Sequence, residues 1–329
     1  MSLSISQFNI NSEPTMEQHQ KKVAIVVPVY NMEEFLSECM DSILSQTYVN
    51  FDVFAVDDAS TDSSLEILHR YQEKDSRVVV LKREKNGGLS AARNTALDEI
   101  ERRQSYDYIS FCDSDDVISP SMIEELVFAA MSEHADVAGC CFQRINFNQT
   151  SHEKYANYCS FTSESFVEQI FSLGNWKKVH GSGGYSCLRL FNAETIRGLR
   201  FYKEKTLSED EVFCMEVATK ASKITYIPKA LYLYRYRPNS LSRAKAFSRK
   251  LVTSRINTLR FSEQISHYAL ILNACAIATK LKNNSDLLSK ELVRKLSPLL
   301  KEGYVLNLIS QKEYLRFRIY SLIANLKGK

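Results

Sequence analysis

Three carboxylates lie within four residues, directly after an apolar run. The segment ISFCDSDDVISP at 109–120 carries Asp113, Asp115 and Asp116, with Ser114 between the first two. So much negative charge at the end of a buried strand is unfavourable unless a cation offsets it. Mg²⁺ and Mn²⁺ bind proteins through one or two carboxylates together with substrate phosphates. The segment therefore predicts a divalent cation that bridges a diphosphate.

A second acidic cluster, Glu209 and Asp210, lies in TLSEDEVFCMEVATKA at 206–221. Ser208 can cap a helix there, and Glu211 three residues later completes a capping-box pattern. Acids in the first turn of a helix stabilise its dipole, and a carboxylate can also act as the general base of a reaction. The pattern by itself leaves both roles open.

The elements that must position these residues alternate along the first half of the chain. Apolar runs predict strands, and a segment with apolar residues at helical spacing follows each of them. The runs are VAIVVPV (23–29), FDVFAV (51–56), VVVLK (78–82) and YDYISFC (106–112). This alternation predicts an α/β fold with a mostly parallel sheet flanked by helices.

Polar residues follow each predicted strand. They are Pro28, Tyr30 and Asn31, then Asp57 and Asp58, then Asn86, Gly87 and Gly88, and finally the acidic segment at 113–116. The carboxyl ends of parallel strands share one edge, where such sheets bind ligands. The chain has neither a GxGxxG after the first strand nor a GxxxxGK[ST], so a dinucleotide fingerprint and a P-loop are both excluded.

Five motifs in order give the chain a resemblance to a known family. PVYNMEEFLSECMDSILSQTY, VDDASTDSS, NGGLSAARN, FCDSDD and SEDEVF resemble the GT-A-fold inverting glycosyltransferases of the large family-two type, over about 20–242. The resemblance implies a nucleotide-diphosphate-sugar donor, a Mn²⁺ or Mg²⁺ ion and direct displacement at the anomeric carbon. The acceptor it implies is a glycan or lipid-linked oligosaccharide in cell-surface polysaccharide synthesis.

The resemblance assigns the donor site residue by residue. Tyr30 matches the position that packs on the nucleobase, and Asp58 matches the acid that hydrogen-bonds a uracil edge, while Asp57 holds the loop. Asn86 lies in the segment that closes over the base. Arg93 either reaches the donor phosphates or lies on a helix surface.

The acidic segments receive the metal and the base. Asp113 and Asp115 match the DxD motif of the metal site. Asp115 is assigned as the metal ligand, and Asp113 as contacting the ribose or a metal-bound water. Asp116 caps the following helix in one interpretation. In the family the second residue of the Glu-Asp pair is the base, which assigns Asp210 as catalytic and Glu209 as orienting it or the acceptor.

Residues around these motifs complete the predicted site. Pro28 and Ser114 count with the donor-binding residues, as does Arg235 in YLYRYRPNSLSR at 232–243. This segment matches a mobile loop that covers the diphosphate, with a solvated turn as the alternative. Trp176 could stack on a sugar or belong to the core, and His180 is left out of the metal site.

Charge is distributed unevenly along the 329 residues. Residues 243–329 contain 17 Lys and Arg against 5 Asp and Glu, a charge of +12 in a chain whose net charge is +3. The tail has a helical pattern, with Val252, Ile256 and Leu259 facing away from basic residues that include Arg255. It predicts a helical region that packs on the core or on another subunit, attachment to an anionic membrane surface, or both.

Composition and length bound the remaining classes. Eight cysteines without a CxxC pair favour reduced thiols, and the chain has neither a secretory signal nor an apolar run of 18 residues. We expect a cytoplasmic protein, peripheral on the inner face of the plasma membrane if the tail binds lipid. The predicted regions are a polar leader (1–20), a nucleotide-sugar-binding half (21–145), an acceptor and base half (146–242) and a basic helical region (243–329).

Two rival functions stay open at this stage. One is a non-catalytic sugar-nucleotide-binding protein, against which the intact acidic motifs argue. The other is a nucleic-acid-binding protein that uses the basic tail. We expect no nucleic acid as a partner, because the acidic body, with a charge of −9 from 25 Lys and Arg against 34 Asp and Glu, would repel phosphate.

Overall fold

The computed structural model describes most of the first half and parts of the second. The described residues are 21–145, 159–171, 183–202, 209–237, 253–256, 258–259, 262–263, 267–280, 290–305, 311, 313–315, 317–318 and 321. The predicted leader, the stacking or core role of Trp176, the place of His180 and the cap at Ser208 lie outside them, as does most of the end of the basic tail.

The first half alternates strand and helix, as its sequence predicts. Each strand is an apolar run, which suits a sheet covered by helices on both faces. The elements are β1 (Val23–Val29), α1 (Leu36–Leu44), β2 (Phe51–Asp57), α2 (Ser64–Lys74), β3 (Val78–Lys82), α3 (Leu89–Arg103), β4 (Tyr108–Phe111), β5 (Val117–Ile118) and α4 (Met122–Ser132).

The second half contributes further strands to the same sheet. Its elements are β6 (Val137–Ile145), β7 (Cys159–Phe161), α5 (Ser163–Ile170), β8 (Arg189–Asn192), α6 (Glu209–Lys220) and β9 (Ile224–Arg235). The start of the segment 232–243, interpreted above as a loop or turn, is therefore the end of a strand. Its Tyr-Leu-Tyr sequence has the aromatic and aliphatic residues that favour strands.

Nine strands form one sheet among the residues that the structure describes, in the order β3-β2-β1-β4-β8-β6-β9-β5, with β7 paired to β9. β1 to β4 are parallel. β8 runs antiparallel to both β4 and β6, and β6 is parallel to β9. The carboxyl ends of β1, β2, β3, β4, β6 and β9 consequently lie at one edge.

Contacts divide the chain into two compact units. The first lies within Met1–Ser163, Tyr185–Lys205 and Lys220–Tyr236 and contains the sheet; the second lies within Glu164–Gly184, Thr206–Thr219 and Arg237–Lys329. The predicted functional halves, 21–145 and 146–242, concern ligand binding and stay predictions.

The C-terminal region is helical where it is described, as predicted. α7 (His267–Lys280) and α8 (Lys290–Val305) belong to the second unit. α7 is buried from Ala269 to Ala278, which explains why its sequence is apolar on all sides. In the described part of the chain, no helix combines the length and apolarity needed to cross a membrane.

Candidate functional site

The polar residues that follow the strands meet at one edge of the sheet, as predicted. Val29 at the end of β1 pairs with Asp57 at the end of β2, and Asp57 pairs with Lys82 at the end of β3. Beyond β4, the Cys112 N–H donates to the carbonyl of Val26 in β1. The register of the parallel strands therefore brings four sequence-distant loops together.

Asp58 anchors the glycine loop that follows β3. Its Oδ2 accepts the Gly88 N–H at 2.7 Å and its Oδ1 accepts the Gly87 N–H at 3.0 Å. Gly88 has φ +84, a left-handed conformation that favours glycine. A Cβ on Gly87 would lie 2.5 Å from the Arg83 guanidinium, so this position also needs glycine.

Arg83 is a site residue that sequence reasoning missed. Its guanidinium donates to Asp58, whose side chain is almost fully buried. The available signal was a cation directly after β3, in line with the acid directly after β2. A cation and two backbone amides thus hold this buried carboxylate in a fixed position.

The loops after β1 and β2 are tied to each other. Both carboxylate oxygens of the fully buried Asp57 accept the Ser60 N–H, and Oδ1 of Asn31 accepts the Thr61 N–H at 2.8 Å. This arrangement leaves the Tyr30 ring 43% exposed above the edge. Pro28, one of the predicted donor-site residues, is a buried residue of β1.

Arg93 lies inside the protein, beneath the acidic loop. The side chain is fully buried, and Cζ is 4.8 Å from the centroid of the Phe201 ring. Nη2 donates to Oδ1 of Asp113 at 2.9 Å, and the Asp113 side chain is 32% exposed. The interpretation of Arg93 as a helix-surface residue is therefore wrong, because α3 turns it toward the sheet.

Asp116 is a structural member of the acidic loop. Its Oδ2 accepts the Tyr232 hydroxyl at 2.6 Å, and its Oδ1 accepts the Arg235 N–H at 2.7 Å. Burial, followed by the negative charges of Asp115 and Asp113, raises the pKa of Asp116 to about 8. The helix-capping interpretation is wrong, since α4 begins after Ser121 and Asp116 bonds to β9 instead.

Arg235 holds the same loop from the end of β9. Its Nε donates to the Asp115 carbonyl oxygen at 2.8 Å, and its guanidinium pairs with Glu38 of α1. Cζ lies 5.1 Å from the centroid of the Phe35 ring. The alternative of a solvated turn does not apply to this side chain, which is 11% exposed and contacts both α1 and the acidic loop.

Asp113 and Asp115 suit an open site for a hard divalent cation. Among the described residues, no three His, Cys, Asp or Glu side chains form a complete metal cluster. Mg²⁺-type ions, however, take one or two carboxylates and fill their remaining positions with water and substrate phosphates. After burial, the negative charges of Asp115 and Asp113 are the next causes of the raised pKa of Asp116, and a bound cation would offset those charges.

The second acidic cluster belongs to the second unit. Glu209 and Asp210 form the start of α6 and are half-buried. The next residue, Glu211, makes a bidentate ion pair with Arg255, whose Nη2 lies 2.5 Å from Oε1 and whose Nε lies 3.2 Å from Oε2. Arg255 is thus buried, like Leu259, so the predicted separation of Arg255 from the buried apolar face is wrong.

Each of the two units offers carboxylates that suit a step of group transfer. In the first unit, the edge offers Asp113 and Asp115 to a cation that could bind a diphosphate, and the exposed Tyr30 ring to a planar ligand. In the second unit, the first turn of α6 offers Glu209 and Asp210, and a carboxylate of this kind can accept a proton.

Comparison with known proteins identifies a protein family and individual proteins of similar sequence. A model of the family described as Glycosyl transferase family 2 matches residues 24–197. Glycosyltransferase GlyA of Streptococcus pneumoniae serotype 4 is 34% identical over 230 residues, which are 68% of this chain and 32% of that protein. The uncharacterized glycosyltransferase EpsJ of Bacillus subtilis is 32% identical over 227 residues, 67% of this chain and 62% of that protein. The matched region thus spans less than two thirds of either relative.

Solved structures resemble the chain over most of its length. TarS 1–349 of S. aureus in complex with UDP-GlcNAc has a TM-score of 0.70 at 20% identity and covers 92% of this chain and 89% of its own. The mannosyltransferase PcManGT of Pyrobaculum calidifontis, in complex with GDP-Man and Mn²⁺, has a TM-score of 0.54 at 18% identity and covers 93% and 86%. At these identities the likeness concerns the fold.

Proposed function

Because the chain belongs to glycosyl transferase family 2 and has the GT-A fold, we propose that it is a metal-dependent inverting glycosyltransferase. It moves a hexosyl group from a UDP-sugar to a hydroxyl of a glycan or lipid-linked oligosaccharide in cell-surface polysaccharide synthesis.

The observation that carries this proposal is the support beneath the acidic loop. Arg93 of α3 holds the Asp113 carboxylate, and Arg235 of β9 holds the Asp115 carbonyl oxygen. Two aspartates are thereby kept at the edge where parallel sheets bind ligands. A divalent cation bound to them would neutralise the donor diphosphate.

The donor half of the site supports a UDP-sugar. The exposed Tyr30 ring can stack on a base, and Asp58 holds the loop at Asn86 that closes over it. Similar structures contain UDP-GlcNAc in one case and GDP-Man in another, so they do not distinguish between the two bases. The proposed preference for uracil is based on Asp58, which matches the acid that hydrogen-bonds a uracil edge. The donor-site roles of Pro28, Asp57, Ser114 and Arg235 remain proposals.

The transfer step uses an acid of α6. The acceptor oxygen attacks the anomeric carbon, the bond from that carbon to the diphosphate oxygen breaks, and the hydroxyl proton passes to Asp210. Attack opposite to the leaving group inverts the anomeric configuration. Glu209 orients Asp210 or the acceptor, and both acids lie in the first turn of α6, where the helix dipole favours negative charge.

The proposed acceptor class is supported by what similar proteins act on. Among them is the poly(ribitol-phosphate) beta-glucosyltransferase of Bacillus spizizenii, 32% identical over 65% of this chain and 32% of that protein. Attachment to an anionic membrane would bring a lipid-linked acceptor close. Arg294, Lys295 and Lys301 are exposed on α8 and can supply that attraction.

A screen of UDP- and GDP-sugars against the full chain, with and without Mn²⁺, tests the function. We expect nucleoside diphosphate release from a UDP-sugar that needs the metal, and its loss in Asp115→Ala. The matched control is Asp75→Ala, an acid that precedes β3 at the opposite edge and pairs with Arg77.

The rival functions give different results in the same screen. Thermal stabilisation by a nucleotide sugar without turnover on any acceptor would indicate a binding protein. If nucleotide sugars cause neither thermal stabilisation nor release of nucleoside diphosphate, the proposal is refuted. Binding to anionic liposomes that falls in salt and in Arg294→Gln/Lys295→Gln/Lys301→Gln would support the membrane contact, and salt-insensitive binding would contradict it.

A further inference from the structure

Three aromatic side chains of the first unit form a row from the sheet to the surface. They are Tyr234 of β9, Phe142 of β6 and Tyr185, which lies shortly before β8; we call them the aromatic row. On the basis of the proposed function, we propose that the aromatic row is the subsite that binds a sugar ring of the acceptor.

The row is held by edge-to-face contacts. The Phe142 ring centroid lies 6.0 Å from that of Tyr234, with an interplanar angle of 74°, and 6.2 Å from that of Tyr185, with an angle of 73°. Phe142 and Tyr234 also pack against the core of the first unit. The inner part of the row is therefore rigid, while the Tyr185 ring is 49% exposed.

The row begins beside the acidic loop. Tyr234 directly precedes Arg235, whose backbone and side chain bind Asp116 and the Asp115 carbonyl. Tyr232, two residues earlier on the same face of β9, donates to the Asp116 carboxylate. An acceptor lying along the row would thus approach the place where Asp113 and Asp115 hold the donor diphosphate.

An irregularity of the sheet directs these side chains. The register of β6 against β9 shifts between Cys140 and Cys141 and again between Cys141 and Phe142. The residues without a partner, Pro228, Lys229 and Leu231, lie in β9. An irregularity of this kind bends the strand that carries the extra residues and re-aims those that follow, here Tyr232 and Tyr234. Phe142 comes directly after the second shift and pairs with Tyr232.

The exposed end of the row suits a carbohydrate. The Tyr185 ring is 49% exposed and continues outward from two rings that are fixed on the sheet, so a ligand can reach its face without any rearrangement of the row. The face of Tyr packs on the C–H face of a pyranose, while its hydroxyl can bond to water or to the sugar. Arg144, on the same face of β6 two residues after Phe142, is exposed with its Cζ 5.7 Å from the Tyr236 ring centroid. Its guanidinium can pair with a phosphate or carboxylate of the acceptor chain.

Tyr185→Ala is the direct test, because the side chain is only half-buried. With the donor saturating, the KM for the acceptor should rise by about threefold to tenfold, while the KM for the donor and its hydrolysis in water should not change. Tyr185→Trp should keep the wild-type KM. Val49→Ala is the matched control, since Val49 is an exposed apolar residue at the opposite edge of the sheet.

The outcomes separate this inference from the proposed function. An unchanged acceptor KM in Tyr185→Ala, or a change in the donor KM alone, would overturn the subsite while leaving the transferase intact. A glycan array of neutral and anionic oligosaccharides gives a readout without turnover. Binding by wild type that Tyr185→Ala loses would support the subsite; equal binding by both, or none by wild type, would overturn it. Arg144→Gln should weaken only the anionic glycans.

Discussion

The fully buried guanidinium of Arg93 donates from Nη2 to Oδ1 of Asp113 at 2.9 Å. An interior cation therefore supports the first carboxylate of the proposed metal motif from below. Removal of one partner of such a pair leaves a charge in a poorly solvated place, whereas removal of both does not.

We expect Asp113→Ala to destabilise the chain by about 3 kcal/mol, because the buried Arg93 then loses its carboxylate. Arg93→Met in the same chain should recover part of that loss. Urea unfolding of both single variants and the double variant measures the effect. If the losses of unfolding free energy in the two single variants simply add in the double variant, the two side chains do not depend on each other. The control is Arg102→Met, at an exposed position of α3.

Asp58→Ala should combine a loss of stability with a loss of UDP affinity. Two glycine amides and the Arg83 guanidinium lose their acceptor, which costs about 1–3 kcal/mol for each unsatisfied buried group. Calorimetry with UDP in the absence of metal tests the second part. The control is Asp62→Ala, in the loop after β2, whose carboxylate accepts the Glu33 and Ser64 N–H groups. If Asp58→Ala binds UDP with the affinity of the wild type, the proposed contact of Asp58 with the base is refuted.

Asp210→Asn separates catalysis from helix stabilisation. The amide keeps the shape but cannot accept the proton, so transfer should fall by about 10²–10⁴-fold with donor and metal affinity unchanged. Glu216→Gln, on the same helix, should leave the rate unchanged. A stable Asp210→Asn protein that transfers sugar at the wild-type rate would move the search for the base to Glu209.

Gly303 of α8 packs directly against α7. A Cβ there would clash with the Cys275 Sγ and would lie 3.3 Å from the Ile271 Cγ2. Gly303→Ala should therefore destabilise the second unit by about 1–3 kcal/mol, although alanine favours helices. Lys301→Ala, an exposed change on the same helix, should be neutral. A raised melting temperature in Gly303→Ala would mean that the helices can move apart.

Because of Glu101, the free energy of unfolding should depend on pH in the acid range. The hydrogen bond from Arg200 holds the pKa of Glu101 below its usual range, and the Gly198 N–H adds to it. A carboxyl group whose pKa is lower in the folded than in the unfolded state stabilises the folded state at pH values above its unfolded pKa. This stabilisation is lost as the pH falls through the folded pKa.

Glu101→Gln should thus cost about 1 kcal/mol at pH 7, since both side chains are partly exposed and water screens the pair. The difference from wild type should begin to shrink as the pH falls below the unfolded pKa of about 4.3 and should be smaller at pH 3.5 than at pH 7. Chemical unfolding at pH 7, 5 and 3.5 measures it. A difference that stays constant over this range would exclude the carboxylate as its cause.

In the first half of the chain, the sequence alone determined the alternation of strands and helices and the edge at which the polar residues gather. Apolar runs and helical spacing are local properties, and parallel strands share one direction, so the gathering of Tyr30, Asp58 and Asp113 follows from their positions after β1, β2 and β4. The apolar contexts of the cysteines also predict burial, and the seven whose side chains the structure describes are buried.

Only the tertiary structure decided which charges meet. The same residue type in the sequence can be solvated or buried, and Arg93, Arg235 and Arg255 each find an acidic loop or helix that lies far away along the chain. Strand periodicity could not reveal the register shifts before Phe142 either, because a bulge depends on the partner strand. Charge partners and side-chain direction arise from packing between distant segments, and for that reason the support beneath the acidic loop and the aromatic row became visible only in the folded chain.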